Sequence, residues 1–156
     1  MQNLAALETL IEEHPFLAGF NGKYREFLRR CASVRRFAYQ QQLFHEGENA
    51  DHFYLIVEGA IALETFVPAG GMIAIQSLGP GEALGFSWLF PPHKWRFTAT
   101  TREPTDVIFF DAVALRAKVE QDRNFSNELL ARIARTLHDR LRHTRRQLID
   151  AYVIPS

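Results

Sequence analysis

One cysteine, Cys31, stands among 156 residues, so an internal disulfide and a four-cysteine metal site are excluded. No uninterrupted apolar run approaches the roughly 20 residues of a membrane-spanning helix, so no membrane partner is expected. The opening Met1-Gln2-Asn3 does not lead from a basic stretch into an apolar one, as a secretory signal would, and the cytoplasm is the expected compartment. Charge of one sign is also missing. Lys and Arg total 18 and Asp and Glu total 18, so no global field draws the chain to nucleic acid or to an anionic surface. Glycine-rich phosphate loops and nucleophile-elbow patterns do not occur. Neither Ser87 nor Cys31 has a base beside it in the sequence, and no catalysis is expected.

What is present is apolar surface. Hydrophobic residues make up 47%, with 13 Phe, enough for one well-filled domain over residues 1–156. Three zones differ in period. Residues 1–34 read as helical: Leu4, Leu7, Leu10 and Ile11 form a stripe that His14-Pro15 ends, and a second helix carries Tyr24, Phe27 and Leu28. Residues 35–110 hold short strand-like runs separated by Gly and Pro, the pattern of a roll, sandwich or barrel. Residues 52–67 read as a strand pair turning at Glu58-Gly59, and residues 107–110 as a buried strand. Helix then returns. Asp111 is placed to cap a helix over 111–122, and a long helix is expected over 124–153.

The long helix carries Leu130, Ala134, Leu137, Leu141, Thr144 and Leu148 at alternating intervals of four and three. That narrow seam is the spacing of coiled-coil pairing, and it predicts a parallel homodimer through Leu130, Ala134, Leu137, Leu141 and Leu148. Packing of the helix on its own chain is the competing reading, with Ile133 and Ile149 widening the stripe. Six Arg (132, 135, 140, 142, 145 and 146) flank the seam against Glu128, Asp139 and Asp150. The interspersed acids read as a solvated face rather than a nucleic-acid surface.

The most specific signal lies in residues 43–59. Gly47 sits at a turn between two strands, and the apolar run Phe53-Tyr54-Leu55-Ile56 is followed, after two further residues, by Gly59. The spacing is two apolar residues, any two, Gly, a polar residue, any one, a small residue, any two, four apolar residues, any two, Gly. This resembles the first β-roll signature of cyclic-nucleotide-binding domains, of the catabolite-activator type. The resemblance runs over residues 15–150 and implies a mainly β fold with flanking helices. That fold is a double-stranded, jelly-roll-like β-roll of eight strands, preceded by helices and followed by a hinge helix and a long C-terminal helix. It also implies a regulatory ligand-sensing domain that acts through a downstream partner. In the family, a Gly-Glu pair offers the Glu to the ribose, and an Arg before Ser/Thr-Ala neutralises the cyclic phosphate. The family's transcription factors continue into a winged helix-turn-helix. This sequence ends at Ser156, and no direct DNA binding is expected.

The expected ligand segment holds Leu84, Gly85, Phe86, Ser87, Trp88, Arg96, Phe97 and Thr98. Phe86 stands at the Glu position and Phe97 at the Arg position, with Arg96 one residue early: on the opposite face if the stretch is a strand, able to swing inward if it is a loop tip. A lower-ranked alignment takes Gly81-Glu82 as the Gly-Glu pair, at the expense of the small and apolar positions that follow. Two charged anchors are replaced by rings, and a degenerate site for cyclic AMP and cyclic GMP is expected. The rings either fill the roll or line an altered site for another small ligand, with His93, Lys94 and Arg96 near an anion at the mouth. Two other classes compete. A cupin-like metalloenzyme would use His45, Glu46, Glu48 and His52, although His45 and His52 are oddly spaced for one strand face. A ligand-free dimerisation module would need only the final helix.

Overall fold

A computed structural model describes residues 4–153. The first three and last three residues of the expected domain lie outside the described residues, as does the side chain of Leu4. Helix α1 covers Leu4–Glu13 and buries Leu7 and Ile11. His14 opens a short 3-10 turn over Pro15–Leu17, and a second such turn, Gly22–Tyr24, leads into α2, Arg25–Cys31. Tyr24 thus belongs to the turn rather than to the second helix.

The β zone begins earlier than its composition indicates. Strand β1 is Ala32–Phe37, so the helical zone ends at Cys31 and not at residue 34. The cause is long-range: Ala32 pairs with Phe110 and Phe37 with Thr105, so the strand is set by a partner far downstream in the chain. The others are β2 Gln42–Phe44, β3 His52–Glu58, β4 Ile61–Val67, β5 Gly71–Leu78, β6 Thr98–Thr101 and β7 Thr105–Asp111. They form two antiparallel sheets, β1-β7-β3 and β2-β6-β4-β5. The described residues hold seven strands rather than eight. Where another would lie, the chain makes only the isolated bridges Leu55 to Ala83 and Asn49 to Lys94.

Residues 52–67 are two strands, as their pattern indicates, but not a hairpin. β3 pairs with β7, whereas β4 pairs with β5 and β6 in the other sheet. Gly59 makes the crossing. Its φ is +103°, and a Cβ there would lie 2.6 Å from the Pro104 carbonyl oxygen. Only glycine fits that corner. The core lies between the two sheets, where Leu55, Ile56, Ile61, Leu63, Val107 and Ile108 are at most 2% exposed.

Helix α3 is Ala112–Gln121. The Asp111 side chain caps it by accepting from the N–H groups of Val113 and Ala114. Asp122 caps α4, Arg123–Tyr152, which starts one residue before the sequence reading. Its 30 residues span about 45 Å. Phe125, Leu129 and Ile133 recur at every fourth position and are buried. The Phe125 ring meets Tyr24, Phe20 and Phe27 with centroids 5.1–5.4 Å away. This face docks the helix on the N-terminal turns. Leu130, Ala134, Leu137, Leu141 and Leu148 point elsewhere and are exposed. Of the two residues thought to widen the stripe toward the roll, Ile133 packs inward while Ile149 is 61% exposed.

Candidate functional site

Residues 79–97 cross the mouth of the roll without regular structure, and backbone bonds to the rest of the roll hold them. The N–H of Leu84 donates to the Tyr54 carbonyl, that of Gly47 to Trp95, that of Trp95 to Glu48, and that of Ala50 to His93. Trp95 is buried and stacked on Phe44, with ring centroids 3.8 Å apart and planes 7° from parallel. A one-turn bend, closed by the Leu89 N–H donating to the Phe86 carbonyl, follows Gly85. Among the described residues, the N–H groups of Gly85, Phe86, Ser87 and Trp88 have no backbone acceptor.

Beneath this segment lies a cavity of about 400 Å3, open to solvent. Of the eight residues expected at a ligand site, Gly85, Phe86, Ser87, Arg96 and Phe97 line it. Leu84 and Trp88 are instead core residues with no exposed surface, and the Trp88 indole N–H has no acceptor. Thr98 is 2% exposed, and its hydroxyl oxygen accepts from the Glu46 N–H at 3.1 Å, which fixes the preceding loop.

The two rings do different things. Phe86 is 5% exposed and packs against Phe53 and Phe16, with centroids 5.8 and 6.2 Å away. Phe97 is half-buried and lies over Gly85, whose added Cβ would come within 2.9 Å of its ring. Gly85 is therefore needed for the approach of the Phe97 ring. Arg96 is exposed, yet it lines the cavity beside Phe97, because both lie in the bend before β6 and the alternation of a strand does not apply to them.

The α4 helix closes the cavity with Leu137 and Arg140. The Arg140 guanidinium donates to the carbonyl oxygens of Leu84 and Ala83 and stands 5.8 Å from the Phe86 ring centroid. Burial opposes its charge and lowers its pKa from the usual arginine value, which the Glu82 carboxylate partly offsets. The sequence reading counted Arg140 only as part of a basic flank. No local pattern marks it, because it reaches Leu84 across 56 residues of chain.

The cavity wall has no carboxylate to accept from a ribose hydroxyl, and its cations are Lys94, Arg96 and Arg140. His45 is exposed, and His52 packs edge-on to Phe109 at 5.3 Å. Among the described residues, no group of three His, Cys, Asp or Glu side chains is placed to hold a metal ion, and no helix is long and apolar enough to cross a membrane.

Comparison with known proteins gives the same architecture. A family model described as cyclic nucleotide-binding domain matches residues 34–122. A CRP-like cAMP-activated global transcriptional regulator of Mycobacterium tuberculosis is 31% identical over 108 residues, which are 69% of this chain and 46% of the regulator. The chain thus spans about half the length of that relative. The solved N-terminal domain of a transcriptional regulator from Streptomyces coelicolor superposes with a TM-score of 0.66 at 26% identity, covering 94% of this chain and 97% of that one. A cyclic nucleotide-binding domain from Methylobacillus flagellatus reaches a TM-score of 0.78 at 18% identity, over 98% and 85% of the two chains, a likeness of fold.

Proposed function

The chain belongs to the cyclic nucleotide-binding domain family, and we propose that within it this is a ligand-sensing regulatory domain that holds cyclic AMP and cyclic GMP weakly or not at all. The observation that carries this is the pair Phe86 and Phe97. They stand at the positions from which the family's carboxylate and guanidinium reach ribose and phosphate, and no other carboxylate lines the cavity. A hydrogen bond to a charged group contributes about 1.5–3 kcal/mol, so two missing anchors weaken binding by a few powers of ten. Calorimetric titration with each nucleotide tests this. A dissociation constant in the low micromolar range or below would overturn it.

The signal leaves through α4. The stripe Leu130, Ala134, Leu137, Leu141 and Leu148 keeps coiled-coil spacing, is exposed in the single chain, and lies apart from the face that docks the helix. A second copy of the chain, paired in parallel, would cover it. The dimer then presents its helices to a downstream partner. One observation favours a ligand-free dimerisation module instead: Phe86 is packed as tightly as a core residue. Against that reading stands the open cavity beside it.

A further inference from the structure

The cavity under residues 85–97 is electrically one-sided. Lys94 and Arg96 reach it from the roll and Arg140 reaches it from α4, while its remaining wall is largely apolar, with Phe86, Phe97 and Leu137 prominent. The hydrogen-bond partners of each cation are neutral or absent, and the Glu82 carboxylate acts on Arg140 only from beyond ion-pair distance. Arg140 bonds to two backbone carbonyls and lies against the Phe86 ring, and among the described residues no carboxylate lies within ion-pair distance of it. Two carbonyl bonds leave three of the five guanidinium N–H donors unspent. Lys94 donates to the Asn49 side-chain oxygen at 2.7 Å, a neutral acceptor. Arg96 is exposed and has no side-chain partner among the described residues. A cation drawn out of water without a counter-charge is costly, and an anion seated beside it removes the cost.

The geometry points to a binding site for a small organic anion with a flat apolar body, such as an aryl carboxylate, sulfonate or phosphate, whose charged group meets Arg140, Arg96 and Lys94 while its body lies among Phe86, Phe97 and Leu137. This rests on the reading of the domain as a ligand sensor. It moves the main counter-charge from the roll to α4. Leu137 belongs both to the cavity wall and to the exposed seam, so a body resting on it touches the residue through which the helix pairs. A ligand shifts an equilibrium only through contacts that differ between states, and Leu137 and Arg140 provide such contacts on a helix that projects beyond the roll.

The test uses the full chain and two fluorescent probes that differ only in charge, 1-anilinonaphthalene-8-sulfonate and the uncharged N-phenyl-1-naphthylamine. The sulfonate saturates at one molecule per chain and binds at least about tenfold tighter than the uncharged probe. Arg140→Gln and Arg96→Gln each weaken the sulfonate about tenfold and leave the uncharged probe unchanged. Arg145→Gln, an equal loss of charge on the exposed part of α4, has no effect. Arg96 is a surface residue, so its variant folds even if Arg140→Gln does not. Equal affinity for the two probes, or sulfonate binding indifferent to Arg96→Gln, overturns the proposal. Cyclic AMP is added as a competitor. Displacement of the sulfonate at low micromolar nucleotide supports the anion site and overturns the reading of weak nucleotide binding, whereas charge-dependent binding without displacement supports both.

Discussion

Arg116 of α3 donates from Nη1 to the carbonyl oxygen of Trp88 over 2.6 Å, so α3 grips the bend that caps the roll. Arg140 grips the neighbouring Ala83 and Leu84 from α4. The cap is thus tied to both helices through which a signal would leave, while Phe86 anchors it in the core. A ligand that moved the cap would have to supply contacts that outweigh these ties.

Hydrogen exchange of the α3 amides, Ala112–Gln121, is accordingly expected to be the same with and without cyclic AMP in the unmodified protein. Phe97→Arg restores a guanidinium at the mouth and is expected to raise nucleotide affinity by about tenfold or more and to make α3 exchange respond to it. Nucleotide-dependent exchange in α3 before any substitution would show that the cap is not held in one state.

Assembly is checked by light scattering. The protein is expected to be a dimer, and Leu141→Glu with Leu148→Glu, which place charge in the seam well beyond the packed Ile133, are expected to make it a monomer with unchanged thermal stability of the roll. A monomer at high concentration before substitution would leave the stripe to some other partner.

Acid should loosen the N-terminal helices. His14 is 4% exposed; its Nε2 donates to the Ile56 carbonyl at 2.8 Å, and its Nδ1 accepts from the Phe16 N–H at 3.1 Å. That arrangement requires the neutral ring, and burial pushes its pKa below the ordinary value of 6.5, with the Ile56 bond partly offsetting this. The unfolded chain then binds more protons, so stability is full above 6.5 and is lost as pH falls through that value toward the folded one. Denaturant unfolding between pH 7.5 and 5 measures the slope. His14→Gln, which lacks the titrating proton, is expected to flatten it at the cost of some stability at pH 7.5.

The thiol of Cys31 should be inert. Burial pushes its pKa up to about 12, so almost none is thiolate at neutral pH. Alkylation by iodoacetamide at pH 8 is expected to proceed only as fast as the protein unfolds, and to become rapid in denaturant. Rapid labelling of the native protein would contradict this.

Gly59→Ala should be among the most damaging small substitutions. Its positive φ alone costs about 1–3 kcal/mol, and the added Cβ would press on Pro104 and Thr105. A fall in Tm of several degrees is expected, whereas Gly47→Ala, also at positive φ but with nothing within 4 Å, is expected to show only the backbone penalty.

The parts legible in the sequence are those that short-range chemistry decides. Gly47 and Gly59 both have positive φ, Asp111 caps the helix that follows it, and residues 107–110 form a largely buried strand. In each case the backbone angle, the orphan N–H groups or the run of apolar side chains sets the outcome within a few residues. The assignment of Phe86 and Phe97 to the positions of charged groups rests on position along the chain alone. Tertiary structure alone decided the rest. Period and turn residues mark β3 and β4 as strands but cannot say that they join different sheets, because that depends on the register of β7. Likewise Ala32 becomes strand only because Phe110 lies opposite. The Thr98 hydroxyl is taken by the Glu46 N–H, and Arg140 enters the cavity because Phe125, Leu129 and Ile133 dock α4 at a fixed rotation. A helix repeats every 3.6 residues, so its buried face determines which side chain, two turns further on, meets the roll.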